Sequence, residues 1–106
     1  MELTVFWTEF AKDKLDEIFE YYKLKSRSVN VARKLVDSII DHTIILEKQP
    51  YIGQREELLL DRPQKFRYLV FKSYKIIYWI NEPKNRIDIA HVFHTRQDPF
   101  KIRETK

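Results

Sequence analysis

At 106 residues without a cysteine, the chain is sized for one domain (1–106), and disulfides, thiolate nucleophiles and cysteine-ligated zinc are excluded. Its 20 Lys/Arg against 16 Asp/Glu give a net charge of +4, unevenly spread: residues 1–62 carry 10 basic and 12 acidic side chains, residues 63–106 carry 10 and 4. That basic half favours an anionic partner such as nucleic acid or an acidic protein surface, and no apolar run approaches the ~20 residues of a membrane span.

The N-terminus, Met1-Glu2-Leu3-Thr4, has neither the charged nor the apolar region of a signal peptide, so a cytoplasmic protein with no membrane partner is expected. Leu3, Val5 and Trp7 alternate with Glu2, Thr4 and Phe6, which predicts a short opening strand. Thr8 offers an N-cap hydroxyl, and Glu9 follows where a negative charge suits the helix dipole. Ala11, Leu15, Ile18, Phe19 and Tyr22 then mark one face of an amphipathic helix running to about Lys25.

Ser28 can cap a second helix whose inner stripe is Ala32, Leu35, Ile39 and Leu46. Val36, Ile40 and Ile44 widen that face to about half the circumference, more than one neighbouring helix requires. The second surface is expected to meet either the sheet or another protein. Pro50 is expected to end this helix, and Gly53, the only glycine, to mark the turn after it. The link between the helices is short and polar, so they should form an antiparallel hairpin.

Leu58-Leu59-Leu60 fits either a strand or a helix, and Asp61-Arg62-Pro63 breaks it. Three strands rich in β-branched and aromatic residues follow, near 66–71, 74–80 and 86–94, with turns at Lys72-Ser73 and Asn81–Asn85. The expected fold is therefore α+β: an N-terminal strand and a helical hairpin packed on a mainly antiparallel sheet formed by the C-terminal half. Basic residues interrupt these runs at Arg67 and Lys75, and Arg96 follows the last strand. Such charges need either a solvated sheet face or an anionic partner. A two-residue loop at Lys72-Ser73 would put Arg67 opposite Tyr78 and leave Lys75 on the reverse face. A three-residue loop would bring both to one side. The sequence allows either.

The ordered set Trp7-Thr8-(x)2-Ala11, Tyr21-Tyr22, Phe66-Arg67-Tyr68-Leu69-Val70-(x)3-Tyr74-Lys75-Ile76-Ile77-Tyr78 and Val92-Phe93-His94-Thr95-Arg96-Gln97-Asp98-Pro99 resembles the RelE/ParE superfamily of toxins from bacterial type II toxin–antitoxin systems. The resemblance runs from about Leu3 to Ile102. It implies a small basic toxin that inhibits growth and is neutralised by a cognate antitoxin, with no cofactor and no metal site. One branch cuts mRNA on the ribosome without a metal, and the other poisons DNA gyrase with no hydrolytic site. A third possibility is a non-toxic module that binds an antitoxin and arrests nothing.

For the ribonuclease branch, a base, an acid and cations must surround the developing phosphate charge. The matching positions here would be Arg67, Lys75, Arg96 and His94, with His91 the other nearby imidazole. Leu69 is apolar where a second lysine would be expected, however, and no tyrosine follows Tyr78. The ending His94–Pro99 is closer to the gyrase-directed branch, toward which the resemblance leans. The antitoxin is expected to cover the wide face of the second helix and the apolar sheet, at Val36, Ile40, Ile44, Tyr74 and Tyr78.

Overall fold

The computed structural model describes residues 3–106; Met1 and Glu2, and with them part of the opening alternation and of the stretch inspected for a signal peptide, lie outside the described residues. The opening strand is β1 (Thr4–Trp7), and it feeds directly into helix α1 (Glu9–Ser26) through Thr8. The Thr8 hydroxyl accepts from the Ala11 N–H at 3.3 Å as an N-cap, and it donates to the Ile89 carbonyl at 2.9 Å on the neighbouring strand. One side chain thus starts the helix and fixes it to the sheet. Arg27, in the left-handed region at φ 57°, reverses the chain. Ser28 then caps α2 (Val29–His42), its hydroxyl accepting from the Val31 N–H at 3.2 Å. The two helices pack as the expected antiparallel hairpin.

The second helix stops earlier than the sequence suggests. Ile44 and Leu46 lie beyond it, in a 3₁₀ turn (Ile44–Glu47), rather than on its stripe. The cause is Thr43, a buried residue whose hydroxyl and N–H both turn back to the Ile40 carbonyl, at 2.7 and 3.0 Å. Those bonds tighten the last turn and end the α ladder before Pro50 is reached. Leu46 still reaches the core.

Four further strands follow: β2 (Gln54–Arg55), β3 (Arg67–Phe71), β4 (Tyr74–Asn81) and β5 (Arg86–His94). They form one sheet in the order β1-β5-β4-β3-β2, with β1 parallel to β5 and the other pairs antiparallel. The Lys72-Ser73 loop is the two-residue version: Phe71 faces Tyr74, Arg67 faces Tyr78, and Lys75 lies on the reverse face opposite Val70. Between β4 and β5 the register shifts, with Ile77 opposite His91 but Tyr78 opposite Ile89. Ala90 is the extra residue of a bulge, which re-aims the end of β5.

Both sheet faces are covered. Ala11 and Leu15 of α1, Ile39 of α2 and Leu46 pack on Tyr74, Ile76, Tyr78, Ile87, Ile89 and Val92. On the reverse face Leu59, Phe66 and Ile102 enclose Ile77, Ala90 and Phe93. Each of the fully buried aliphatic side chains contributes about 1.5–3 kcal/mol by leaving water. Leu59 and Ile102 come from two 3₁₀ turns, Glu57–Leu59 and Pro99–Glu104, so the Leu58–Leu60 stretch is neither strand nor α-helix. Arg62 ties the turns together by donating to the Arg103 carbonyl at 2.8 Å and the Thr105 carbonyl at 2.5 Å. Arg103 forks onto Asp61 and holds that carboxyl well below its usual range, at about 2. Among the described residues, no helix is long and apolar enough to cross a membrane.

Candidate functional groove

Arg67 and Lys75 are bound into the fold on opposite faces of the sheet. Arg67 donates to the Gly53 carbonyl at 2.7 Å and lies 5.0 Å from the centre of the Tyr51 ring, so it pins the segment between the helices and β2. Tyr78 anchors the same segment from beneath. Its hydroxyl donates to the Pro50 carbonyl at 2.7 Å and accepts from the Gly53 N–H at 3.0 Å, and burial raises its pKa. A Cβ on Gly53 would lie 2.5 Å from that hydroxyl, which explains the lone glycine. Tyr78 has no exposed surface and offers no docking contact, contrary to the sequence-based expectation.

Lys75 is paired with Glu56 at 2.7 Å and stacks 4.0 Å above the centre of the Tyr68 ring. Glu56 is 3% exposed, so the ammonium neutralises a carboxylate that the surrounding protein has desolvated. The sequence shows the cation but gives no sign that its partner arrives from the far end of an irregular segment.

His94, Arg96 and Tyr74 do come together. They border a cleft of about 790 Å³ where the end of β5 and the β3–β4 turn meet the C-terminal half of α1. His94 packs edge-on to Tyr74 with ring centres 5.3 Å apart, and its Nδ1 accepts from the Arg96 N–H at 3.1 Å. That bond assigns the proton of the neutral ring to Nε2. Tyr74 is nearly buried, and burial together with the adjacent Tyr22 hydroxyl raises its phenol above the usual range. Arg96 and Lys101 are exposed at the mouth. Lys25 lies 5.6 and 5.8 Å from the Tyr21 and Tyr22 ring centres.

A second hollow of about 510 Å³, bordered by Val31, Lys34, Leu35 and Ser38 of α2, meets the first at Tyr22, Ser73 and Tyr74. The two form a continuous groove around the β3–β4 turn. Val36 and Ile40 instead pack half-buried against the core, and Ile44 stands exposed on its 3₁₀ turn, away from the residues that border the groove. The apolar α2 residues at the groove are therefore Val31 and Leu35. Lys25 and Lys101 were also missed by sequence reasoning. The Tyr21-Tyr22 pair with a lysine three to four residues later is the pattern that could have found Lys25.

His91 sits deeper in the same cleft, 2% exposed, edge-on to Phe10 of α1 with ring centres 5.0 Å apart. Burial, and then the nearby Lys14 ammonium, lower its pKa, so the ring is neutral. The Lys101 and Val92 backbones lie near enough to act in the opposite direction, but neither ring nitrogen has a partner in bonding geometry. Chemically, the groove combines loose cations, aromatic rings and two imidazoles. It lacks the convergence of Arg67 and Lys75 on His94 that the proposed phosphate-cleaving set requires.

Residues 5–99 match the model of the family described as ParE toxin of type II toxin-antitoxin system, parDE. Among solved structures, the chain is similar to the chromosomal ParDE toxin–antitoxin system from P. aeruginosa, with a TM-score of 0.72 and 18% identity over 90% of this chain and 98% of that one. It is also similar to the toxin–antitoxin complex RelBE2 from Mycobacterium tuberculosis, with a TM-score of 0.63 and 15% identity over 89% and 99% of the two chains. At these identities the structural likeness concerns the fold alone. No match is found among curated proteins.

Proposed function

The chain belongs to the ParE toxin family of type II toxin–antitoxin systems, and from that premise we propose that it stops growth by binding DNA gyrase, without a hydrolytic site of its own, until an antitoxin occupies the groove. The observation that carries the proposal is the fate of the four candidate cleavage residues. Arg67 is spent on the Gly53 carbonyl and Lys75 on Glu56, on opposite sheet faces, so only His94 and Arg96 remain near one another. Transition-state stabilisation at a phosphate needs cations preorganised around one point. Two tied residues on separate faces do not supply them.

The antitoxin side of the proposal draws on the groove itself. It is bordered by apolar and aromatic side chains and by cations, which suits a partner segment that is disordered when free and carries both apolar and acidic residues. The ribonuclease alternative is favoured by one feature, the exposed Arg96 beside the His94 imidazole, whose Nδ1 accepts from the Arg96 N–H.

Inducing the protein alone in a bacterial host, while following the DNA-damage response and new protein synthesis in one culture, tests the proposal. An early damage response with translation initially intact is expected. Immediate loss of protein synthesis with cut messages would replace the gyrase reading by the ribonuclease one. Unaffected growth would leave antitoxin binding alone.

A further inference from the structure

The free charge around the β3–β4 turn is all of one sign. At the larger cleft Lys14 is answered by Glu17 at 3.3 Å and Glu104 at 3.8 Å. Five other cations border the groove: Lys25 of α1, Lys34 of α2, Lys72 of the β3–β4 turn, Arg96 after β5 and Lys101 of the C-terminal turn. All five are exposed, and none has a carboxylate partner among the described residues. Among the described residues, no acidic one borders the smaller hollow. Cations that serve only solubility are interleaved with acids, as Lys12 is with Glu9 and Lys23 with Glu20 on the outer surface of α1. Like charges gathered in a concave site focus their field there and draw in a polyanion.

An independent feature says which polyanion fits. Tyr21 is 55% exposed at the cleft, held edge-on by Tyr22 with ring centres 5.2 Å apart. A large aromatic ring kept in water beside cations is a platform on which a nucleobase can stack. An acidic polypeptide would satisfy the cations but has no base to lay on the ring. A duplex offers phosphates, but its bases are stacked on one another and stay out of reach. An extended single strand presents both groups at once.

We propose that the groove binds a single strand of DNA through its phosphodiester backbone, with phosphates on Lys25, Lys34, Lys72, Arg96 and Lys101 and one base stacked on Tyr21. The proposal deepens the gyrase reading and rests on it for the source of the strand, which is the DNA that gyrase has opened. No bond of the strand is made or broken in the groove. The toxin holds a broken strand away from its partner end, so the break persists. A segment that covered these cations would release the strand, which ties neutralisation to the same site.

The probe is a short fluorescent oligothymidine, titrated with the purified protein at several salt concentrations in the absence of gyrase. With five phosphates neutralised, the logarithm of affinity should fall against the logarithm of salt with a slope of about −3.5. Replacing Lys25, Lys34 and Lys72 together by alanine should reduce that slope to about −1.4. Tyr21→Ala should weaken binding about fivefold or more without changing the slope. Lys48→Ala with Lys84→Ala, at exposed positions away from the groove, should change neither. A slope that the groove variants leave in place, or that the control pair reduces equally, would overturn the site. An oligouridine bound more than about tenfold tighter would assign the groove to a message and overturn the DNA assignment. In a parallel assay with gyrase and plasmid, the triple variant should trap few breaks. Breaks trapped undiminished by that variant would overturn the strand site and leave the gyrase reading intact. Oligothymidine bound as expected, with no breaks trapped by the unaltered protein, would uphold the site and remove the gyrase reading.

Discussion

Glu56 and Lys75 form the most consequential pair of side chains outside the groove. The carboxylate is 3% exposed and its one cation lies 2.7 Å away, so Lys75→Met leaves a desolvated charge unanswered. We expect a loss of about 3–5 kcal/mol in urea unfolding. His91 makes stability depend on pH. Its pKa is lowered by burial and by Lys14 from α1, while the Lys101 and Val92 backbones and then Glu104 act in the other direction without reversing it. Below the unfolded histidine pKa of about 6.5, the unfolded chain binds the proton more readily than the folded one. Stability should therefore be full above that pH and fall as the pH drops toward the lower folded value. Unfolding curves at mildly acidic and neutral pH should show this slope, and His91→Phe should flatten it. Neither role could be read from the chain. A charge inside an apolar run looks functional until its partner is seen, and the partners of Arg67 and Lys75 both come from the irregular segment between α2 and β3.

The elements themselves were largely legible, for identifiable reasons. The strands near 66–71, 74–80 and 86–94 carry dense β-branched and aromatic residues, and both helices open on a hydroxyl cap whose bond is present. What the sequence did not show depended on single interactions: the Thr43 back-bond that ends α2, and the Ala90 bulge that reverses the facing of β5. The C-terminal 3₁₀ turn was missed because one apolar residue, Ile102, carries its burial. Two substitutions probe this scale. Arg27→Gly removes left-handed strain at the α1 terminus and should stabilise by about 0.5–1 kcal/mol in thermal unfolding. Gly53→Ala would force a methyl against the Tyr78 hydroxyl and the Tyr68 carbonyl, at 2.5 and 2.6 Å. A loss of about 2 kcal/mol or more is expected, since overpacking and a broken buried hydrogen bond coincide.

For the molecule as a whole, a five-stranded sheet is closed on one face by a helical hairpin and on the other by short turns. The basic groove is left around the β3–β4 turn. The order of strand, hairpin and meander was enough to suggest the family from sequence, because those elements are long and strongly patterned. The groove was not, since its walls come from both helices, the β3–β4 turn, β5 and the C-terminal turn, and no local pattern links them. The central claim is that this toxin acts on gyrase and lacks a nuclease site. The measurement that tests it most directly is incubation of the purified protein with gyrase and supercoiled plasmid, trapping cleaved DNA with detergent and protease, beside translating ribosomes carrying a labelled message. The account predicts that linear plasmid accumulates with protein concentration while the message stays whole. Intact plasmid together with a message cut on the ribosome, and cutting lost in Arg96→Ala, would contradict it.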